Sequence, residues 1–350
     1  MKNKIFKRAT SFFNFLKREN ILRILAVLTI LIIFSAVGMA FFEKNTIFKG
    51  LPFVDALKNA LWWSVVTMTT VGYGDLAPIT VGGRMVGTVI MILGIGILGI
   101  FTATIASVFV EKKLKEERGM GSYNFENHVI LCEWTNRTRE LLAELRNDNR
   151  CTETPMILIS PIENKPVDDE NLYFIQGDVN EENLKRANIF KARTVVIMSD
   201  DSINESARDA KAVLTTLTVE CMNEAAYTIV ELVDESNVQH CRRAKADEII
   251  VGAEFSTKLI SRAALEHGIS KVISELLSSQ FGNDLYKVPL PNSMAGKEFI
   301  DVFTEMKRIH KSIVLGVQRD GDAEVISNPD VDFIVNKDDS LILIAANRPV

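Results

Sequence analysis

Apolar residues crowd into two long runs, at 21–42 and 85–110, with a shorter apolar stretch, Phe53 to Met68, between them. The first run, Ile21 to Phe42, carries one charge, Arg23, close enough to its end to snorkel. Its 22 residues make a helix of about 33 Å at ~1.5 Å per residue, enough to cross a hydrocarbon core of about 30 Å. The second run, from about Gly83 to Val110, is long enough too. It continues at helical spacing through Glu111–Arg118, with Glu111/Lys115 and Lys113/Glu117 at i,i+4. The middle stretch, with Trp62 and Trp63, is too short and interrupted to span, and it runs straight into a glycine-rich segment. It reads as a re-entrant half-helix, because non-helical backbone at membrane depth persists only where it lines a cavity.

Beyond Gly119-Met120-Gly121-Ser122, which reads as a linker, the pattern changes to short apolar runs alternating with amphipathic ones. Strands are predicted at His128–Cys132, Met156–Ser160, Leu172–Ile175, Thr194–Met198, Thr228–Val233 and Glu248–Val251. Helices are predicted at 136–147, 181–189, 204–222 and 235–244, which together imply a doubly wound parallel sheet. Two helices, 254–266 and 270–279, flank a His267-Gly268 turn, and a small α+β unit follows with strands near 285–289, 312–318 and 341–345. The expected fold is therefore a membrane α-helical domain of two spans and a half-helix. A Rossmann-like α/β lobe and a small α+β lobe follow it. The corresponding divisions are 1–20, a basic amphipathic segment; 21–110, the two-span domain; 111–124, a helical linker; 125–252, the Rossmann-like lobe; 253–282, a helix-turn-helix crossover; and 283–350, the C-terminal lobe.

Charge sharpens this division. Residues 1–110 hold 11 Lys and Arg against 4 Asp and Glu, net +7, and the remainder holds 29 against 41, net −12. Basic residues precede the first span and follow the second, so the positive-inside rule puts both termini in the cytoplasm and the two-span domain in the cell membrane, against lipid. An acidic soluble part argues against nucleic-acid binding. The four cysteines form no CxxC pair and read as ordinary thiols of a reducing compartment. No span carries repeated arginines, so steep intrinsic voltage gating is not expected.

The segment carrying chemistry is Thr70-Val71-Gly72-Tyr73-Gly74-Asp75. A potassium ion entering a narrow pore must exchange hydration oxygens for oxygens of similar field strength, and inward-aimed backbone carbonyls supply them. Aiming several successive carbonyls one way needs unusual backbone angles, which Gly72 and Gly74 permit. Thr70 adds a hydroxyl at the inner mouth. Val71 and Tyr73 are expected to brace the segment against Trp62 and Trp63, and Asp75 to tie the outer mouth to the half-helix. One such segment per chain calls for four chains around an axis. In the second span, Gly94, Gly96 and Gly99 serve either close packing or a gating hinge, and Thr102, Thr104 and Ser107 are candidates to face a wet cavity.

Two spans carrying TVGYGD followed by a Rossmann-like unit resemble the prokaryotic two-transmembrane potassium channels with an RCK (TrkA-N) domain, and in particular the calcium-gated members. The resemblance covers nearly the whole chain after residue 20. It extends through His128–Cys132, Phe174–Asp178, Lys185–Asn188 and Asn328–Phe333 with Asp338-Asp339. It implies a ligand-gated potassium channel rather than an enzyme. The pore would be a homotetramer holding K+, with a cytoplasmic ring of four or eight RCK units. It also implies a Ca2+ site of carboxylates, of which Asp178 and Glu231 match two, while the next falls on Val233. A dinucleotide site would need G-x-G-x-x-G after the first strand. Here the run is Cys132-Glu133-Trp134-Thr135-Asn136-Arg137, so a nucleotide would be left with Arg137 and Arg139 as its contacts. A soluble oxidoreductase fails to account for the spans. A potassium transporter would carry several degraded pore repeats where this chain has one intact segment.

Overall fold

The computed structural model describes residues 21–148, 150–278, 282–319 and 325–349. The basic segment expected over 1–20 lies outside them. The chain divides after Lys115 into two compact units.

The first unit is helical: α1 (Ile21–Phe42), α2 (Phe53–Met68) and α3 (Val81–Glu117), the last continuing into the second unit. α1 and α3 are long and apolar enough to cross a membrane, with mean hydropathies of 2.7 and 2.5. Only 22% and 11% of their most apolar stretches is buried within the chain, unlike the core helix of a soluble protein. The packed centre of this unit uses small residues, Ala36 and Ala40 of α1 against Ala56 and Ala60 of α2, sealed by Met39, Trp63 and Ile90. Small side chains let helix backbones approach closely where lipid removes the hydrophobic drive between them. The Ser64 hydroxyl donates to Ser35 Oγ at 3.0 Å, which satisfies a buried polar pair between α2 and α1.

The second unit opens with a six-stranded parallel sheet. Its strands are β1 (His128–Cys132), β2 (Met156–Ser160), β3 (Leu172–Gln176), β4 (Ala192–Ile197), β5 (Tyr227–Leu232) and β6 (Glu248–Val251), in the spatial order β3-β2-β1-β4-β5-β6. Three expected strands, β1, β2 and β6, have the expected bounds, and the others shift by one or two residues. Val129 of β1 lies opposite Met156 of β2 and Thr194 of β4. β1 and β2 are buried throughout and almost wholly apolar, because both faces are covered. Ile130 and Cys132 enter one cluster with Leu184, Ala212 and Cys241, while Val129 and Leu131 enter another with Leu142. The helices supplying those partners are α4 (Asn136–Asn147), α5 (Glu181–Arg186), α6 (Glu205–Met222) and α7 (Val238–Arg243). The first three start on side-chain caps, from Thr135, Asn180 and Asn204.

Helices α8 (Gly252–Leu265) and α9 (Ile269–Leu277) follow, and neither buries a residue within the chain. The last lobe is a four-stranded antiparallel sheet, ordered β7-β10-β8-β9, of β7 (Asp284–Pro289), β8 (Ile313–Gln318), β9 (Val325–Ser327) and β10 (Ser340–Ala345). Helix α10 (Phe299–His310) packs on it through Val302 and Met306, against Val317, Leu341 and Leu343. The two-lobed architecture read from the sequence is thus the one observed, with α10 and β9 as elements the strand count had not included.

Candidate functional sites: a turning backbone and an acidic rim

Residues 69–75 leave the C-terminal end of α2 without forming regular structure. Thr70, Gly72 and Gly74 have φ of 60°, 57° and 77°, and Val71 and Tyr73 between them are absent from the left-handed region. In an ordinary strand successive carbonyls alternate sides. Alternating the hand of the backbone residue by residue turns successive peptide planes the same way, so their oxygens share one side. A Cβ at Gly72 or Gly74 would meet nothing within 4 Å, so the backbone conformation, rather than lack of room, calls for glycine there. Thr70 adopts it despite a branched Cβ, which stores strain.

The segment is held from behind. Val71 N–H donates to Val66 O at 3.0 Å, and Thr70 N–H to Thr67 O at 3.1 Å. The Trp62 indole N–H donates to Asp75 Oδ2 at 2.9 Å, and its ring stacks on Tyr73 with centroids 5.9 Å apart. Trp63 turns instead into the helical core. Glu43, just past α1, is fully buried and was not singled out from the sequence. It accepts from Ile79 N–H at 3.0 Å and from the Thr80 N–H and hydroxyl, both at 2.8 Å; the Thr46 hydroxyl donates to it as well. A Cβ at Gly83 would lie 2.2 Å from Glu43 Oε1, so this glycine makes room for the carboxylate. The signal for it was an acid directly after an apolar span. In α3, a Cβ at Gly94 would press on Met68 Cγ at 2.9 Å, whereas Gly96 and Gly99 face open space.

The second site is the rim at the carboxyl ends of the parallel strands, where doubly wound sheets take ligands. Glu133, after β1, and Asp200, after β4, both contact Lys211 Nζ of α6 at 2.7 Å, and Asp178, after β3, lies 3.9 Å from it. Glu231, in β5, pairs with Arg137 Nε at 2.8 Å and accepts from Ser199 N–H at 3.0 Å. Arg137 also reaches Asp201 at 2.9 Å, and Arg208 pairs with the same acid at 3.1 Å. The two acids paired in the sequence reading, Asp178 and Glu231, therefore sit on different cations. Arg139 lies over the Trp134 ring at 5.8 Å. Among the described residues, no three His, Cys, Asp or Glu side chains stand close enough to hold a metal ion as they are.

Burial pushes the Glu133 carboxyl above its usual value, more than the Lys211 ammonium lowers it. Burial acts the same way on Asp200, but hydrogen bonds from Lys211 and Ser202 outweigh it and hold that acid low. Burial disfavours the Lys211 charge, yet these two acids hold its pKa above the ordinary value. The rim thus holds two ion-pair groups, Glu133, Asp178 and Asp200 around Lys211, and Glu231 and Asp201 with Arg137 and Arg208, so that its five carboxylates face three cations and the excess acid lies around Lys211. The excess negative charge attracts cations and repels phosphate. The cleft itself, lined by Cys132, Glu133, Asp200 and Lys211, has a volume of only about 10 Å³.

Residues 24–111 match the family described as ion channel, residues 124–230 the calcium-activated potassium channel slowpoke-like RCK domain, and residues 253–349 the Castor and Pollux part of voltage-gated ion channel. The chain is 32% identical over 294 residues to the calcium-gated potassium channel TvoK of Thermoplasma volcanium, covering 83% of this chain and 82% of that one. Against potassium channel protein 1 of Methanocaldococcus jannaschii the identity is 24%, covering 79% of this chain and 82% of that one. Among solved structures, the human SLO3 gating ring superposes with a TM-score of 0.51 at 16% identity, over 63% of this chain and 44% of that chain, which shows the fold alone. The chain belongs to the potassium channels that carry an RCK regulatory domain. Its relatives are ion channels, not enzymes.

Proposed function

We propose that the chain is one of four identical subunits of a potassium-selective pore whose opening is set by a ligand bound to its RCK unit. The observation that carries the pore reading is the alternation of backbone hand at Thr70, Gly72 and Gly74, which lets four chains offer K+ rings of carbonyl oxygens. The Trp62–Asp75 hydrogen bond and the Trp62–Tyr73 stack brace those rings at the outer mouth. Gly94 serves packing, and Gly96 and Gly99, open on their Cβ side, are the hinge candidates. In this reading α1 and α3 cross the cell membrane with both termini in the cytoplasm. Residues 21–110 form the pore unit, 111–124 the connection, 125–252 and 283–350 the RCK lobes, and 253–282 the crossover between lobes.

Assembly with copies of itself into a ring of four or eight RCK units is supported by apolar surface left uncovered in one chain. Phe255, Ile260 and Leu265 of α8 and Val272 of α9 are exposed. A concavity of about 330 Å³ lined by Val196, Met198, Ile229 and Ile250 lies beside β4, β5 and β6.

The ligand is Ca2+ or another divalent cation, taken at the strand-end rim by Asp178 and Glu231. The excess of acids there supports this, as does the calcium gating named for TvoK. Asp178 is exposed and 3.9 Å from Lys211, whereas Glu231 is held by Arg137 at 2.8 Å, so an incoming cation must take Glu231 from Arg137. That exchange of partners gives the two states different affinities, which is what a gating ligand requires. The test is open probability in patches, titrated with Ca2+ on the wild type and on Asp178→Asn. A wild-type response that the variant loses supports the reading, and a wild type indifferent to Ca2+ rejects it. A nucleotide at Arg137 and Arg139 has less support, since Arg137 is held by Asp201 and Glu231.

A further inference from the structure

The chain between α3 and β1 is docked rather than slack. α3 ends at Glu117, and Gly119 follows in the left-handed region, at φ 63°, where a Cβ would lie 2.2 Å from Gln176 N. Gly119 O accepts from Gln176 N–H at 3.1 Å, and Met120 bridges Ile175, so the turn is paired to the end of β3. Tyr123 N–H donates to Arg186 O at 2.8 Å, and Asn188 Nδ2 to Phe125 O at 2.8 Å. One side chain gathers this joint. The Arg186 guanidinium donates to Gly119 O at 2.6 Å and to Gly121 O at 2.8 and 3.2 Å, and its remaining arm donates to Asn183 Oδ1 at 2.8 Å. The buried Asn183 passes the contact on, its Nδ2 donating to Asp178 O at 2.9 Å. Gly177 lies directly before Asp178, at φ 126°, where a Cβ would meet Asn183 Nδ2 at 2.7 Å.

We infer that Asn183 and Arg186 are the transmission between the acidic rim and the second spanning helix. They tie the Asp178 loop to the Gly119 and Gly121 carbonyls, in the turn that follows α3 and whose Gly119 N–H donates back to Glu116 O at 3.1 Å. The inference rests on the rim being the ligand site. The relay is short and hydrogen-bonded throughout, and it ends on the turn directly after a helix continuous from Val81 to Glu117. A displaced Asp178 carbonyl moves the Asn183 amide. The amide in turn pulls on a guanidinium whose other donors hold the turn that follows the helix. Planar, five-donor geometry is what allows one residue to grip three acceptors at once, and lysine cannot do so.

Two variants of the full-length channel test it. Asn183→Ala cuts the relay and leaves the Arg186 grip on the glycine carbonyls. Arg186→Lys keeps the charge and loses the fork. Calorimetric Ca2+ binding, single-channel open probability and hydrogen exchange are read on each. The expected result is Ca2+ binding within about twofold of wild type, with the Ca2+ concentration for a half-maximal effect on open probability shifted by about tenfold or the effect lost. Faster exchange at the 119–123 amides should accompany it. A change confined to stability would shift binding and gating together, so their separation identifies coupling. Unchanged gating in both variants, with wild-type binding, overturns the inference. If the wild-type channel neither binds nor answers Ca2+, the ligand reading fails by itself. The relay then stands on the exchange data, and unaltered exchange at 119–123 in Asn183→Ala removes it.

Discussion

The carbonyl segment at 70–74 and the acidic rim of the RCK unit both handle cations, and they are built in opposite ways. In the first, the oxygens belong to the backbone, and the sequence only has to permit the dihedral angles that turn them. In the second, the oxygens belong to side chains from β1, β3, β4 and β5, and the fold chooses their partners. A backbone device depends on short-range sequence and tolerates little change. A side-chain device depends on residues far apart and has slack, because its cations are shared: Lys211 reaches three acids and Arg137 two.

The largest expected effect falls on the backbone device. Gly72→Ala or Gly74→Ala forces a Cβ into the left-handed region, at roughly 1–2 kcal/mol per residue and four times over in a tetramer. Potassium flux, or its preference over sodium, should be abolished in reconstituted channels, as read from reversal potentials. A Gly72→Ala channel that still strongly prefers potassium would break the contrast at its root.

At the rim the effect should appear in stability first. Lys211→Met leaves Glu133, which is almost fully buried, without its cation. Removing one partner of such a pair costs about 3 kcal/mol, measurable as a lowered urea midpoint. Asp200 loses the same cation but keeps its hydrogen bonds from Ser202, so adding Glu133→Gln removes one of the two stranded charges and the double variant should regain part of the loss. Equal losses in both would mean that the lysine acts through packing, not charge.

Trp62→Phe sharpens the comparison from the pore side. It keeps a ring to stack on Tyr73 and deletes the donor to Asp75. Loss of that bond should cost about 1 kcal/mol, seen as shorter openings or a less heat-stable tetramer. A change in ion preference as large as that of Gly72→Ala would mean that bracing, not backbone angle, sets selectivity.

The contrast also explains what could be read in advance. Two spans, the half-helix, six parallel strands and most helices of the Rossmann-like lobe were legible because each has its own period and punctuation. The glycines at 72 and 74 were legible because a turning backbone needs them in sequence order. Asp178 was visible as a strand-end acid, but its nearest basic partner, Lys211, comes 33 positions later on α6, and no local pattern joins the two. Glu133 read only as part of a run without the glycines of a dinucleotide site. Its burial against Lys211 depends on how α6 packs over β1. The Gly119–Ser122 stretch reads as a linker by composition, yet Gly119 is there because only it fits against Gln176. α10 was passed over between two short apolar runs, although Phe299, Val302 and Met306 carry a helical spacing.

The smallest expected effect is a pH dependence of the RCK unit. His128 is fully buried, its Nε2 lies 2.8 Å from Ala187 O, and burial lowers its pKa below the ordinary 6.5. Below pH 6.5 the unfolded chain takes up a proton that the folded one refuses. Stability should therefore fall as the pH drops from 6.5 toward the folded pKa, by at most about 1.4 kcal/mol per pH unit. His128→Gln should flatten that part of the curve in thermal melts. A slope that persists in the variant would assign the titration elsewhere.

The most direct measurement is a single-channel recording of the purified full-length protein in a planar bilayer. Potassium is placed on one side and sodium on the other, and Ca2+ is raised on the side facing the RCK units. The account expects unitary currents reversing close to the potassium equilibrium potential, with an open probability that changes with Ca2+. Currents that do not discriminate potassium from sodium would contradict the backbone reading of 70–74. An open probability indifferent to Ca2+ would contradict the cation reading of the rim.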